Sequence, residues 1–161
     1  MEKKAAKIKL LFLDVDGVLT DGRIIMNAHG EEIKAFDVKD GQGLKMLLSI
    51  GVEVAIVSGR KSRVVEYRAR DLGIKQLYQG VNDKKSLCRQ LIEERGLEKE
   101  QVCCMGDDLP DLAMFRESGL RIAVADAAEE VRRAADRVTK NRGGRGAVRE
   151  VCEWLLACRG K

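Results

Sequence analysis

The alternation of two kinds of segment limits this chain most. Short apolar runs at 9–14, 52–58, 101–106 and 120–124, with a briefer edge run at 137–139, take turns with longer amphipathic stretches. The runs are rich in Leu, Ile, Val and Cys on both alternating faces, so the strands they predict must be covered on both sides. Helical periods are expected at 43–50, 62–72, 84–95, 111–118, 128–135 and 146–159. Gly51, Gly73, Gly96 and Gly119 stand where helices should stop, because glycine enters the left-handed conformation that closes a helix at no steric cost. Strand and helix repeated in this way predict a three-layer, doubly wound, Rossmann-like α/β fold with a parallel sheet at its centre. Residues 1–161 read as a single domain, without internal repeats or low-complexity tracts.

One stretch departs from the rhythm. Residues 22–36 form two short extended runs around Asn27 to Gly30, which predicts a β-hairpin flap. A tail loop and helix follow at about 141–161.

Composition removes several functions from consideration. Aromatic residues are only 4% of the chain, too few for a surface that stacks single-stranded bases. The formal charge of +4 is spread through alternating basic and acidic residues, the pattern of solvated helix faces. Neither a nucleic-acid partner nor a membrane span is expected, although a modest positive balance suits a small anionic substrate. The five cysteines lack metal-ligand spacing and are expected to be reduced, in a cytoplasmic setting. With His29 as the one histidine, any metal site must be built from carboxylates.

Parallel α/β sheets bind ligands beyond the carboxyl ends of their strands, and the least ordinary residues fall there. The first run ends in Asp14-Val15-Asp16-Gly17, the second in Ser58-Gly59-Arg60, and the third in Gly106-Asp107-Asp108 with Asp111 beyond. Carboxylates gathered so closely repel and raise one another's pKa unless a cation lies among them. Oxygen-only ligation suits Mg²⁺, which also neutralises a phosphoryl group. A carboxylate nucleophile can divide a phosphoryl displacement into two easier steps, and a second acid can serve the leaving oxygen and then the attacking water. Ser58 offers a hydroxyl near a helix start, and Lys84 offers a point charge for developing negative charge. Each feature alone has a plainer reading as a turn, a helix cap or a surface lysine. Their order and placement together point to phosphoryl chemistry.

These motifs, in this order, resemble those of haloacid dehalogenase-type phosphatases. Asp14-Val15-Asp16-Gly17-Val18 resembles the first motif, Ser58 the second, Lys84 the third, and Gly106-Asp107-Asp108 with Asp111 the fourth. The resemblance implies that Asp14 is the nucleophile, Asp16 the acid/base, and Ser58 and Lys84 the phosphoryl-oxygen partners. It implies Mg²⁺ held by the Asp14 carboxylate, the Asp16 main-chain oxygen and Asp107, with Asp108 and Asp111 ordering the metal shell.

A closer resemblance spans nearly the whole chain. It runs through Phe36-Asp37-Val38-Lys39-Asp40-Gly41, Val54-Ala55-Ile56-Val57-Ser58-Gly59-Arg60, Tyr78-Gln79-Gly80-Val81, Val124-Ala125-Asp126-Ala127 and the tail from Gly143 to Cys152. These are similar to the 3-deoxy-D-manno-octulosonate 8-phosphate phosphatases, which serve lipopolysaccharide precursor biosynthesis. A sialic-type nine-carbon acid 9-phosphate is the alternative substrate, and a non-catalytic oligomerising or binding module the third reading. Only about forty residues separate the first two motifs, leaving no room for a cap domain. The resemblance therefore implies a homotetramer whose hairpins pack together. It also implies that Asp16, Asp37, Lys45, Arg60, Arg68 and Lys84 meet the sugar acid, with Asp37 binding hydroxyls or holding a lysine. The tail Gly143-Gly144-Arg145-Gly146 would be a mobile loop laid over an active site.

Overall fold

A computed structural model describes residues 1–160 of the chain. The elements are α1 (Glu2–Ala5), β1 (Leu10–Leu13), β2 (Ile25–Met26), β3 (Glu32–Ile33), α2 (Val38–Ser49), β4 (Glu53–Val57), α3 (Arg63–Leu72), β5 (Gln76–Tyr78), α4 (Lys84–Glu94), β6 (Val102–Gly106), α5 (Leu112–Phe115), β7 (Leu120–Ala123), α6 (Glu129–Ala134), β8 (Arg137–Val138) and α7 (Ala147–Arg159). Six strands form one sheet in the order β5-β4-β1-β6-β7-β8, and every neighbouring pair is parallel. Each crossover between strands carries a helix or the loop that precedes one, as parallel pairing requires.

β1 lies inside the sheet, and all four of its residues are buried, each worth about 1.5–3 kcal/mol relative to an exposed side chain. The adjacent β4 and β6 are also almost wholly buried. α7 turns Ala147, Val148, Val151, Cys152, Leu155 and Cys158 inward and packs against α2. All five cysteines are free and buried. Burial pushes the Cys88 thiol up to about 12 and lifts those of Cys103 and Cys104 well above the ordinary range.

The elements depart from the sequence reading in several places, beginning with the short α1, which was not expected. The edge strand β5 was not anticipated, since its half-buried Gln76, Leu77 and Tyr78 carry no continuous apolar signal. α2 starts at Val38 rather than near 43, because the Asp37 side chain accepts from Lys39 N at 2.7 Å and caps it. The helix expected over 111–118 shrinks to a 3₁₀ turn, Leu109–Asp111, followed by the single turn of α5. Gly119 does not close its helix by left-handed geometry, as Gly73 does at φ 75°. A Cβ at Gly119 would stand 2.7 Å from Glu100 Cα, so close approach is what requires glycine there.

Between β1 and α2 the only regular structure is the β2–β3 hairpin, paired antiparallel with Ile25 opposite Ile33. Asn27 Oδ1 accepts from the main-chain N–H groups of His29 and Glu31 and shapes its turn. Ile24, Met26 and Ile33 are exposed on it. Among the described residues, no helix is long and apolar enough to cross a membrane.

Candidate active site

Parallel register delivers the site. Leu13 pairs with Ile56 on one side and Met105 on the other, so the three chains leave the sheet side by side at Asp14, Ser58 and Asp107. Asp14 N still donates to Met105 O at 3.3 Å, and the chain then turns. Gly17 has φ 93°, and a Cβ there would fall 1.9 Å from Asp107 Oδ2. Only glycine lets the Asp107 carboxylate lie against this loop.

Lys84 opens α4 and is 6% exposed. Its Nζ donates to Asp14 Oδ1 at 2.8 Å and to Asp111 Oδ1 at 2.7 Å. Burial alone would lower the ammonium pKa, but the two carboxylates outweigh it and raise the value. Asp111 Oδ2 accepts from the main-chain N–H groups of Asp107 and Asp108. Asp111 thus spends one oxygen on the lysine and the other on backbone, and Asp14 and Asp107 keep freer oxygens.

The acids strain against one another. Burial, and then repulsion from Asp111, push the Asp14 carboxyl up to about 6, although Lys84 opposes the rise. Burial together with Asp111, Asp14 and Asp108 pushes Asp107 up to about 8. Asp107 Oδ1 is buried without a hydrogen-bond partner, a costly state for a carboxylate oxygen. Oxygens of Asp14, Asp107 and Asp111 all lie within 4.8 Å of one another. Three carboxylates facing one ammonium, with an orphaned oxygen among them, fit a hard divalent cation with oxygen ligands.

These residues line one side of a cavity of about 790 Å³, which Asp16, Ser58, Gly59, Arg60, Asn82 and Arg116 also line. Ser58 is buried and its Oγ accepts from Arg60 N at 3.3 Å. The Asp16 carboxylate faces a different cation from Asp14. Lys34, from the end of the hairpin, reaches Asp16 Oδ1 at 2.5 Å and Glu32 Oε1 at 2.8 Å. Arg60 Nη1 lies 3.1 Å from the same Glu32 oxygen and 3.7 Å from Asp16.

Other predicted contacts do not converge in this chain. Asp37, Lys45 and Arg68 are not among the residues lining the cavity. Asp37 caps α2, Lys45 is exposed, and Arg68 pairs with Asp71 at 2.9 Å while lying 5.5 Å from the Phe36 ring centre. Asp108 accepts from Leu109 N and starts the 3₁₀ turn. The tail loop packs against its own chain. Gly144 N donates to Val18 O at 2.9 Å and Gly143 N to Asp126 Oδ1 at 2.9 Å, so the glycines are wedged against the loop after β1 and do not line the cavity. Lys34, Glu32 and Arg116 were missed. A lysine in a short polar ribbon carries no local mark of burial, and an arginine at the end of a helix reads as solvated.

A model of haloacid dehalogenase-like hydrolases matches residues 77–151. The chain is 50% identical over 158 residues to the Escherichia coli K12 3-deoxy-D-manno-octulosonate 8-phosphate phosphatase KdsC, covering 98% of this chain and 84% of that one. The crystal structure of the Moraxella catarrhalis phosphatase of the same name, in complex with magnesium, phosphate and a KDO molecule, superposes with a TM-score of 0.96. It is 45% identical, with 99% of this chain and 91% of that one covered. The cobalt-bound deoxy-D-mannose-octulosonate 8-phosphate phosphatase of Haemophilus influenzae gives a TM-score of 0.94 at 44% identity, covering 98% and 92%.

Proposed function

The chain belongs to the 3-deoxy-D-manno-octulosonate 8-phosphate phosphatase family of haloacid dehalogenase-like hydrolases, and on that premise we propose how its residues release phosphate from the eight-carbon sugar acid. The observation that carries the mechanism is Lys84 bridging Asp14 and Asp111 beside an unpartnered Asp107 oxygen.

Asp14, Asp107 and the Asp16 main-chain oxygen would hold Mg²⁺. When bound, it supplies positive charge that quiets the clustered acids and the phosphoryl oxygens. Asp14 attacks phosphorus, the bond from phosphorus to the sugar oxygen breaks, and Asp16 gives that oxygen its proton. Asp16 then takes a proton from water, whose oxygen attacks the phospho-aspartate, and Asp14 leaves with phosphate released. Lys84 keeps Asp14 aimed by one hydrogen bond and offers positive charge to the phosphoryl oxygens, while the Ser58 hydroxyl takes another of those oxygens. Lys34 sets the direction of the Asp16 carboxylate. Arg60, at the rim, suits the sugar's carboxylate through its planar fork.

Asp37, Lys45 and Arg68 do not line their own cavity, and their contact with substrate is assigned to a homotetramer in which one chain completes its neighbour's site. The exposed Ile24, Met26, Ile33 and Val38 supply apolar surface for such packing. Five free thiols with no disulfide suit a cytoplasmic setting.

The test is phosphate release from the octulosonate 8-phosphate and a nine-carbon acid 9-phosphate, each with and without Mg²⁺. The expected outcome is Mg²⁺-dependent release with the higher kcat/KM for the eight-carbon ester. Asp14→Asn should abolish it, and undiminished release from that variant would overturn the mechanism.

A further inference from the structure

We propose that Asp40 is a positioning residue for the phosphatase site, acting through the tail: it holds the first turn of α7, which seats Gly143 and Gly144 against the loop bearing Asp14 and Asp16. The proposal rests on the function just given and adds a residue that touches neither substrate nor metal.

Asp40 sits in the first turn of α2 and is 1% exposed. Its Oδ1 accepts from Arg149 N at 2.8 Å, and its Oδ2 from Gly146 N at 3.4 Å. The first N–H groups of a helix have no partner within it. α7 starts from Gly146 at φ 96°, with no side chain of its own to serve them. A carboxylate from a distant element therefore does the capping, favoured by the helix dipole. Burial and the neighbouring Asp37 push the Asp40 carboxyl up to about 6, against the pull of its backbone bonds. A buried acid is an expensive way to cap a helix, which suggests that the position of this helix start matters.

What the helix start holds is a stack of close approaches. A Cβ on Gly143 would fall 1.7 Å from Gly17 O, and one on Gly144 would fall 2.4 Å from Asp21 N. On its other side Gly17 leaves no room for a Cβ beneath Asp107. Tail glycine, catalytic loop and Asp107 carboxylate are thus packed in sequence with nothing compressible between them. Close-packed interiors transmit displacement, and a misplacement of about 1 Å at reacting groups can cost about 10²-fold in rate. α7 has its own apolar stripe, Val148, Val151 and Leu155, so loss of the Asp40 carboxylate should leave the helix docked while freeing its first turn.

The experiment compares Asp40→Ala, Asp40→Asn and Gly143→Ala with Glu117→Gln. Glu117 is a buried acid paired with Arg89 and Lys99, and it does not itself line the cavity. Thermal melting, Mg²⁺ binding by calorimetry without substrate, and kcat and KM on the octulosonate 8-phosphate are measured for each. Asp40→Ala is expected to weaken Mg²⁺ binding and lower kcat about tenfold or more, with KM changed about twofold or less. Asp40→Asn should fall between it and wild type. Gly143→Ala should reproduce the loss with Asp40 intact, and it carries the test if Asp40→Ala does not fold. Glu117→Gln should melt earlier with both functional readouts unchanged. If Asp40→Ala merely melts earlier, with Mg²⁺ affinity and kcat at wild-type values, or if Gly143→Ala leaves both untouched, the proposal is wrong. A wild-type protein that releases no phosphate would defeat the functional reading instead, and Mg²⁺ binding would still judge Asp40.

Discussion

Two lysines in this molecule occupy nearly the same chemical position and very different structural ones. Lys84 lies between Asp14 and Asp111, and Lys34 between Asp16 and Glu32. Both side chains are almost wholly buried, 6% and 2% exposed. Lys84 starts a helix packed on the core, and its acids follow interior strands, Asp14 directly after β1 and Asp111 in the 3₁₀ turn after β6. Lys34 follows a two-residue strand of a ribbon that would be marginal alone, and its acids are 21% and 16% exposed. In the proposed mechanism the nucleophile Asp14 is therefore aimed by the core of the fold, and the proton-transfer acid Asp16 by the hairpin.

Removing each lysine should separate these roles. Lys84→Ala is expected to lower kcat by about 10²–10³ and to destabilise the fold by about 3–5 kcal/mol, since it leaves buried carboxylates facing one another. Steady-state kinetics and denaturant unfolding would read both effects. Lys34→Ala should cost about tenfold in kcat, because Asp16 keeps its proton chemistry, worth about 10²–10⁴, but loses its aim. Its stability change should be about 1 kcal/mol or less, as for a pair that solvent partly reaches. Equal stability losses would erase the contrast between core and flap.

The smallest effect is expected from pH. Asp14 and Asp107 have folded-state pKa values pushed up to about 6 and about 8, above the ordinary carboxylate value of about 4. The metal-free folded protein thus keeps protons that the unfolded chain has lost, and its stability should fall as pH rises from about 4 to about 8. Mg²⁺ needs the deprotonated acids, so its affinity should rise over the same range. Melting at pH 5 and pH 8, with Mg²⁺ or a chelator, should show a larger metal-induced increase in Tm at pH 8. An equal increase at both would mean that the acids are ionised before the metal arrives.

The parallel sheet and the chemistry at its edge were legible because both rest on strong local signals. The runs ending in Asp14, Ser58 and Asp107 needed only burial and parallel pairing to meet. Local signals failed where contact was made over distance. Lys34 looks like any lysine in a turn-rich ribbon until the hairpin folds over Asp16. The close packing of the tail glycines was not legible, because glycine marks close packing and freedom with the same letter. Their bonds to Val18 and Asp126 are made to partners far away in sequence. Asp37, Lys45 and Arg68 show the opposite limit, since a single chain leaves them outside its cavity.

The reach of that glycine stack along the chain bears on synthesis. Asp14 emerges from the ribosome early, Lys84 midway, Asp107 later and Gly143 near the last helix, so the polypeptide carries its nucleophile long before that residue is braced. On the proposed mechanism, a nascent chain that still lacks Lys84 and Asp107 would hold an inert carboxylate, and hydrolytic competence should await the docking of α7.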